Sequence, residues 1–220
     1  FFNISAFGRP VKTSILMGGE EFDVYTRILR ERAGMRALPE LPAALYEEVA
    51  SQARQFILPA IVRGTGQFPD SEARVVESDA VYPLETILDG GPLPSFFADH
   101  ARAVAVLNLS LAIQTVTALR RVGLGAGVTV YTEGGFRNNR DYNTLLSALV
   151  PEAHFVLSGM PEATSFGAAL LGCATLEERD VRELGPLFTI DREPVERVEI
   201  PSLASYARAF HELIEGVRDR

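Results

Sequence analysis

Two stretches of the chain share one hydrophobic pattern. Residues 11–17 (VKTSILM) read as a strand that stops at Gly18-Gly19, and residues 20–32 follow as a helix with Phe22, Tyr25, Ile28 and Leu29 along one side. Residues 128–132 (VTVYT) read as a second strand that stops at Glu133 and Gly134-Gly135. A polar helix start, Asn138-Asn139, then leads to Tyr142, Leu145, Leu146 and Leu149 at helical spacing over 139–150. A strand that runs through glycines into a helix N-terminus suits a nucleotide. Glycine lets a flat base or a phosphate approach the backbone, and the first-turn N–H groups are free to donate. Taken alone, such a turn is more commonly a tight connection than a site.

The pattern between and beyond these units predicts an α/β layer. Pro39 and Pro42 precede an amphipathic helix over 43–56. Residues 57–95 are rich in Pro and Gly and read as a loop-rich surface excursion, with a short strand at 73–77. A long helix capped by Ser95 or Asp99 runs to about Val122 and is apolar over most of its girth, which predicts burial between layers. Gly123 to Gly127 stop it. After the 139–150 helix come a strand at 153–157, a polar turn at 158–164 and a Gly/Ala-rich helix at 165–175 that permits close packing. Short strands near 187–190 and 195–200 and an amphipathic helix at 203–217 complete the chain. The helix–strand–helix–strand–helix run over 95–175 implies parallel or mixed strands covered by helices. The expected organisation is a single lobe over 1–220, with 95–175 as its core and 176–220 as C-terminal strands and helix.

Composition narrows the classes. With 220 residues, 47% hydrophobic and 23% charged, the chain can bury a full core. A net charge of −8 argues against a broad nucleic-acid or anionic-membrane surface. The single cysteine, Cys173, excludes an internal disulfide framework, fits a cytoplasmic location and is expected to be a small buried hydrophobe. The most apolar window, 103–119, carries Asn108, Ser110, Gln114, Thr115 and Thr117, so it reads as a buried helix rather than a membrane span. The start, FFNISAFGRP, has no initiator Met and no signal-type segment, and reads as the interior of a longer polypeptide.

Several motifs carry little. Residues 8–13 (GRPVKT) superficially suggest a phosphate loop, but Val11 stands where a glycine should precede Lys12 and the segment leads into a strand. Residues 123–127 (GLGAG) follow a helix and precede a strand, the reverse of a dinucleotide fingerprint. The acidic runs Glu20/Glu21/Asp23 and Glu177/Glu178/Asp180 read as solvated faces near helix N-termini, with Asp23 a partial exception one turn beyond Gly18-Gly19. His100, His154 and His211 lack ligand spacing, and no protein metal site is expected.

Three segments, in order, resemble the C-terminal lobe of the FGGY carbohydrate kinases. His100-Ala101-Arg102-Ala103, opening the long helix that contains Gln114, resembles the helix before that family's adenosine strand. Glu133-Gly134-Gly135-Phe136-Arg137-Asn138 resembles its glycine-rich adenosine motif, and Glu162 to Ala169 (EATSFGAA) resembles its tightly packed Gly/Ala helix. Upstream, Leu16 to Phe22 (LMGGEEF) resembles the lobe's first glycine turn. Glu133 stands where the family frequently has Gly or Asp, Phe136 where it has a small residue, and Asp23 where some relatives have a neutral amide.

The resemblance implies a ribonuclease H-like lobe of the actin-like ATPase fold, shared by sugar kinases, Hsp70 and actin. It implies ATP and Mg²⁺ as cofactors, with adenosine contacts at Gly134 and Asn138 and Gly135 as part of their turn, a phosphate-side glycine at Gly19 or Gly18, and a polar contact one turn later at Asp23. A branched side chain at Gly134 is expected to fill space that adenosine needs. The catalytic aspartate and most sugar contacts are expected upstream of Phe1, in an N-terminal lobe. The expected partners are therefore that lobe and a small sugar (a ketose such as rhamnulose, fuculose or xylulose, or a polyol), with no nucleic acid, no membrane, and a homo-oligomer left open. The alternative from a different class is a non-catalytic actin-like ATP-binding switch or scaffold.

Overall fold

The longest apolar stretch of the sequence becomes a 23-residue helix, His100–Val122, against which three other helices and a strand pack. The structure is a computed structural model and describes residues 1–160 and 162–216. In chain order its elements are β1 (Phe2–Ile4), β2 (Pro10–Lys12), α1 (Gly18–Arg32), α2 (Ala43–Gln52), β3 (Gln55–Leu58), β4 (Arg74–Glu77), β5 (Ala80–Pro83) and α3 (Leu84–Leu88). There follow α4 (His100–Val122), β6 (Thr129–Thr132), α5 (Arg140–Leu149), β7 (His154–Ser158), α6 (Ala163–Leu176), α7 (Val181–Leu184), β8 (Arg192–Pro194) and α8 (Leu203–Glu215).

Helix α4 starts where Asp99 accepts a hydrogen bond from the Arg102 backbone N–H at 3.2 Å, and it stops at Gly123, whose φ of 113° only glycine adopts readily. Its residues from Ala103 to Gln114 are buried on every side, as a helix apolar over its whole girth requires. Among the described residues it is the one helix long and apolar enough to cross a membrane, and 78% of its apolar window lies inside the protein, as in a core helix.

Strands β6 and β7 pair in parallel, Thr129 opposite His154, and α5 crosses between them to lie against α4. Strand β8 adds antiparallel to β7, Glu193 opposite Leu157. It falls between the two tail strands expected near 187–190 and 195–200. The last helix is described as far as Glu215, and Val217, where it was expected to end, lies outside the described residues.

Other expectations are corrected. Residues 43–56 are not one helix: α2 ends at Gln52, Ala53 turns left-handed (φ 46°), and Phe56 lies in β3 with its ring 4.6 Å from Tyr206. Residues 57–95 are not a surface excursion. Strands β3, β4 and β5 form an antiparallel sheet whose Ile57, Leu58 and Val75 join the core beside Ile87 of α3. Residues 11–17 are not one strand either. Only β2 is paired, in a hairpin with β1 turned at Gly8 (φ 70°); the Thr13 N–H still donates to the Phe1 carbonyl at 2.9 Å, and residues 14–17 have no ladder partner among the described residues.

Helix α6 is not tightly packed on the core. Only Ala174 is buried, Cys173 is exposed, and a Cβ at Gly167 or Gly172 would meet nothing within 4 Å. Its neighbours are chiefly α7 and Phe188, whose ring meets Phe166 edge-on at 5.0 Å.

Candidate functional site

The first wall of the site is the start of α1. Gly18 and Gly19 stand inside the first helical turn rather than before it, and the cap position, Met17, makes no side-chain hydrogen bond. The first intrahelical bond runs from the Glu21 N–H to the Met17 carbonyl at 2.9 Å, so the N–H groups of Gly18, Gly19 and Glu20 precede the ladder. A helix N-terminus without a side-chain cap favours an anion. A Cβ on Gly18 would stand 3.4 Å from the Phe136 ring and from the Leu16 side chain, so this glycine admits an aromatic neighbour.

The second wall follows β6. Gly134 to Asn138 form a 3₁₀ turn that opens at Gly134 with φ 66°, a region costly for a residue with a Cβ. A Cβ at Gly134 would meet no other protein atom within 4 Å, so among the described residues it is the backbone conformation, not a protein neighbour, that calls for glycine. Asn139 then caps α5: its Oδ1 accepts from the Tyr142 N–H at 3.0 Å. The cap orients the amide, so Asn139 Nδ2 donates to Asn108 Oδ1 at 2.9 Å and Asn108 Nδ2 donates to the Tyr46 hydroxyl at 3.0 Å. This buried chain ties α5 to α4 and α2.

Phe136, one of the sequence's departures, packs its ring on Tyr142 at 4.5 Å and against Gly18, so it bridges the two glycine turns. Tyr142 shares a 2.7 Å hydrogen bond with Thr115 Oγ1, and burial pushes its hydroxyl up to about 12. Asn143 Nδ2 donates to the Phe136 and Asn139 carbonyls, both at 2.8 Å, and fixes the turn from behind.

Between the walls is a cleft of about 600 Å³. It is lined by Gly19 and Asp23 from the first unit and by Gly135 and Asn138 from the second, which lie more than a hundred residues apart in sequence. Gly18 and Gly134 adjoin these residues in the chain but do not line the cleft themselves. The apolar side is built by Phe22, Leu38, Pro39, Leu41 and Val104, and the polar side also includes Asn108, Asn139, Arg140 and Asp141. These had not been singled out from the sequence. The polar pair Asn138-Asn139 was a usable signal for Asn139; Leu38, Pro39 and Leu41 sit in a segment with no periodicity to mark them.

One acidic residue of α1 departs from its expected role. Glu21 was read with Glu20 and Asp23 as a solvated face, yet it is 2% exposed. It heads the inward stripe with Tyr25, Ile28 and Leu29, and its Oε1 accepts from Gln114 Nε2 at 2.8 Å. Burial raises its carboxyl to about 7, against smaller opposing effects of hydrogen bonds from Gln114 and Ser110. Burial chiefly, and then the Glu21 carboxylate, pushes the Tyr25 hydroxyl well up. Among the described residues no group of three or more His, Cys, Asp or Glu side chains is arranged to hold a metal ion.

The Tyr46–Asn108–Asn139 chain yields a stability prediction. Asn108→Ala leaves Asn139 Nδ2 and the Tyr46 hydroxyl without these partners in a site where Asn108 is 1% exposed. A loss of about 2–4 kcal/mol is expected, read as a lowered denaturant midpoint, because each buried orphan costs about 1–3 kcal/mol. A variant as stable as the wild type would show that the chain does not hold the floor of the cleft.

Comparison with known proteins bears on what this arrangement serves. The sequence profile of the family described as "Carbohydrate kinase FGGY, C-terminal domain" matches residues 1–181. Among solved structures, a carbohydrate kinase from Novosphingobium aromaticivorans superposes with a TM-score of 0.67 at 23% identity, over 99% of this chain and 40% of that one. That likeness shows the fold, and the chain spans less than half the length of that protein. No curated protein matches the chain significantly.

Proposed function

The chain belongs to the FGGY carbohydrate kinases, as their C-terminal domain, and we propose that it is the ATP-binding lobe of a sugar kinase that transfers the γ-phosphoryl group of ATP to a hydroxyl of a small ketose or polyol. Its fold is the α/β lobe of the actin-like ATPase type. The observation that carries the proposal is the convergence of Gly19, Asp23, Gly135 and Asn138 on one cleft of about 600 Å³. The volume suits a nucleoside, one side is apolar enough for a base, and the uncapped start of α1 is suited to phosphate.

In this reading adenosine occupies the cleft between Phe22, Phe136 and the start of α5. The phosphates extend past Gly19 toward the N–H groups that precede the α1 ladder. Mg²⁺ enters with the phosphates, since a magnesium ion is commonly held by one or two carboxylates together with substrate phosphates. Asp23, one turn beyond Gly19 on α1, is the carboxylate on the phosphate side of the cleft that would share it. Phosphoryl transfer draws most of its rate from positioning and charge neutralisation. The residues of this chain fix the nucleotide, while the sugar and the general base are assigned to another lobe of the same protein. A cytoplasmic location goes with this chemistry.

The test is a panel of ketoses, polyols and aldoses assayed with the full-length protein and ATP. Phosphorylation of one of them is expected, with no turnover by the 220-residue chain alone. Turnover by the isolated chain would overturn the division of labour. Nucleotide binding with no phosphorylation across the panel would favour a nucleotide-controlled switch.

A further inference from the structure

One carboxylate of the cleft is left without a role by the packing around it. Asp141 lies in the first turn of α5, one turn beyond Asn138, and lines the same cleft. The capping task that would explain an acidic residue there is already performed by Asn139, whose Oδ1 holds the Tyr142 N–H. Three of the polar groups nearby are engaged: Asn139 and Asn108 with each other, Asn108 also with Tyr46, and Arg140 with Glu193 at 3.5 Å. Asp141 is half-buried, and its carboxylate has no hydrogen-bond or ion-pair partner among the described residues. Partial burial raises its pKa, as expected of a charge that lacks compensating donors.

A half-buried acceptor facing a cleft calls for a donor from whatever fills it. Phosphate cannot be that group, because a carboxylate repels it and the free N–H groups of α1 offer it a better place. From this geometry, and resting on the nucleotide reading above, we infer that Asp141 is the residue that reads the nucleoside, accepting a hydrogen bond from a donor on it. Two donors share this chemistry, the exocyclic amine of adenine and a ribose hydroxyl. Asp141 thereby sets nucleotide selectivity from the α5 side of the cleft, while α1 holds the phosphates.

Calorimetry on the full-length protein tests this with ATP, inosine triphosphate, 2′-deoxy-ATP and 3′-deoxy-ATP, for the wild type, Asp141→Asn and Asp141→Ala. The wild type is expected to bind ATP about tenfold or more tightly than the analogue that lacks the donor, the usual scale of a hydrogen bond to a charged group. Asp141→Asn removes the charge while its amide oxygen can still accept, so it is expected to weaken ATP and to reduce that discrimination toward the scale of a neutral hydrogen bond, and Asp141→Ala to abolish it. Loss of selectivity against inosine triphosphate identifies the amine; loss against a deoxy analogue identifies the hydroxyl. If Asp141→Asn and Asp141→Ala bind all four nucleotides with wild-type ratios and change only thermal stability, the residue serves the helix dipole and the inference is overturned. A wild type that binds no nucleotide would sink the nucleotide reading itself, which the wild-type arm shows without any variant.

Discussion

Glu21→Gln is expected to remove a fall in stability that the wild type shows between about pH 4.5 and pH 7. Unfolded, the Glu21 carboxyl titrates near 4.5; folded, it titrates near 7 because burial disfavours its charged form. Between those values the folded protein retains a proton that the unfolded chain has already released. The contribution of this group is therefore fully favourable below about pH 4.5 and declines as pH rises, until it levels off above about 7. A displacement of this size corresponds to about 3 kcal/mol.

Glutamine keeps the shape and can still accept from Gln114 Nε2, so the variant and the wild type should be equally stable near pH 4 and diverge with rising pH, the variant being more stable at pH 8. The groups that face Glu21 are Gln114 and Ser110 of α4 and Tyr25 of α1, with Arg74 of β4 acting on Tyr25. Gln114 and Ser110 do not titrate, and Tyr25 and Arg74 do not titrate in this range, so the difference between the two proteins isolates Glu21. Denaturant titrations at several pH values check it; parallel curves for the two proteins would mean that Glu21 is not the buried acid described here.

Gly19→Leu in the full-length protein is expected to weaken ATP binding by about a hundredfold, or roughly 2–3 kcal/mol, without loss of stability. Gly19 is helical, so it is not required by backbone geometry. A Cβ there would stand 4.0 Å from the Phe136 ring, an ordinary contact, and any longer side chain would extend into the cleft that Gly19 lines. Gly19→Ala is the graded control. It should perturb binding little and leave the helix as stable or more so, since alanine is favoured over glycine in helices by up to about 1 kcal/mol. Wild-type ATP affinity in a folded Gly19→Leu variant would move the nucleotide elsewhere. Gly134 offers the opposite case: substitution there acts through a strained backbone and should reduce stability together with binding.

The two glycine units illustrate what one dimension of sequence contains. The long helix, the parallel strand pair around α5 and the turn at Gly134-Gly135 were legible because each follows from local rules: apolar periodicity, β-branched runs and glycine punctuation; Gly18-Gly19, expected as a turn that ends a strand, instead opens α1. Their convergence was implied only by resemblance, since nothing local in residues 18–23 refers to residues 134–138. Local rules failed where tertiary partners decide. Phe56 leaves a helical pattern to join a sheet because β4 supplies its ladder. The segment 57–95 looked like loop because its strands are short and divided by Pro and Gly, yet sheet pairing and burial of Ile57, Leu58 and Val75 make it part of the core.

Glu21, Asp141 and Gly18 mark the same boundary within the site. All three residue types have ordinary local explanations, two as acids near a helix start and one as half of a turn. The sequence by itself determined the α/β class, the buried central helix and the helix starts near Gly19 and at Asn139, because periodicity and glycine act over a few residues. Only the tertiary structure decided that Glu21 faces Gln114 in the core, that Phe136 closes on Gly18, and that Asp141 lines the cleft with no ion-pair partner among the described residues. Burial and hydrogen-bond satisfaction are properties of what surrounds a side chain, and those surroundings come from distant parts of the chain.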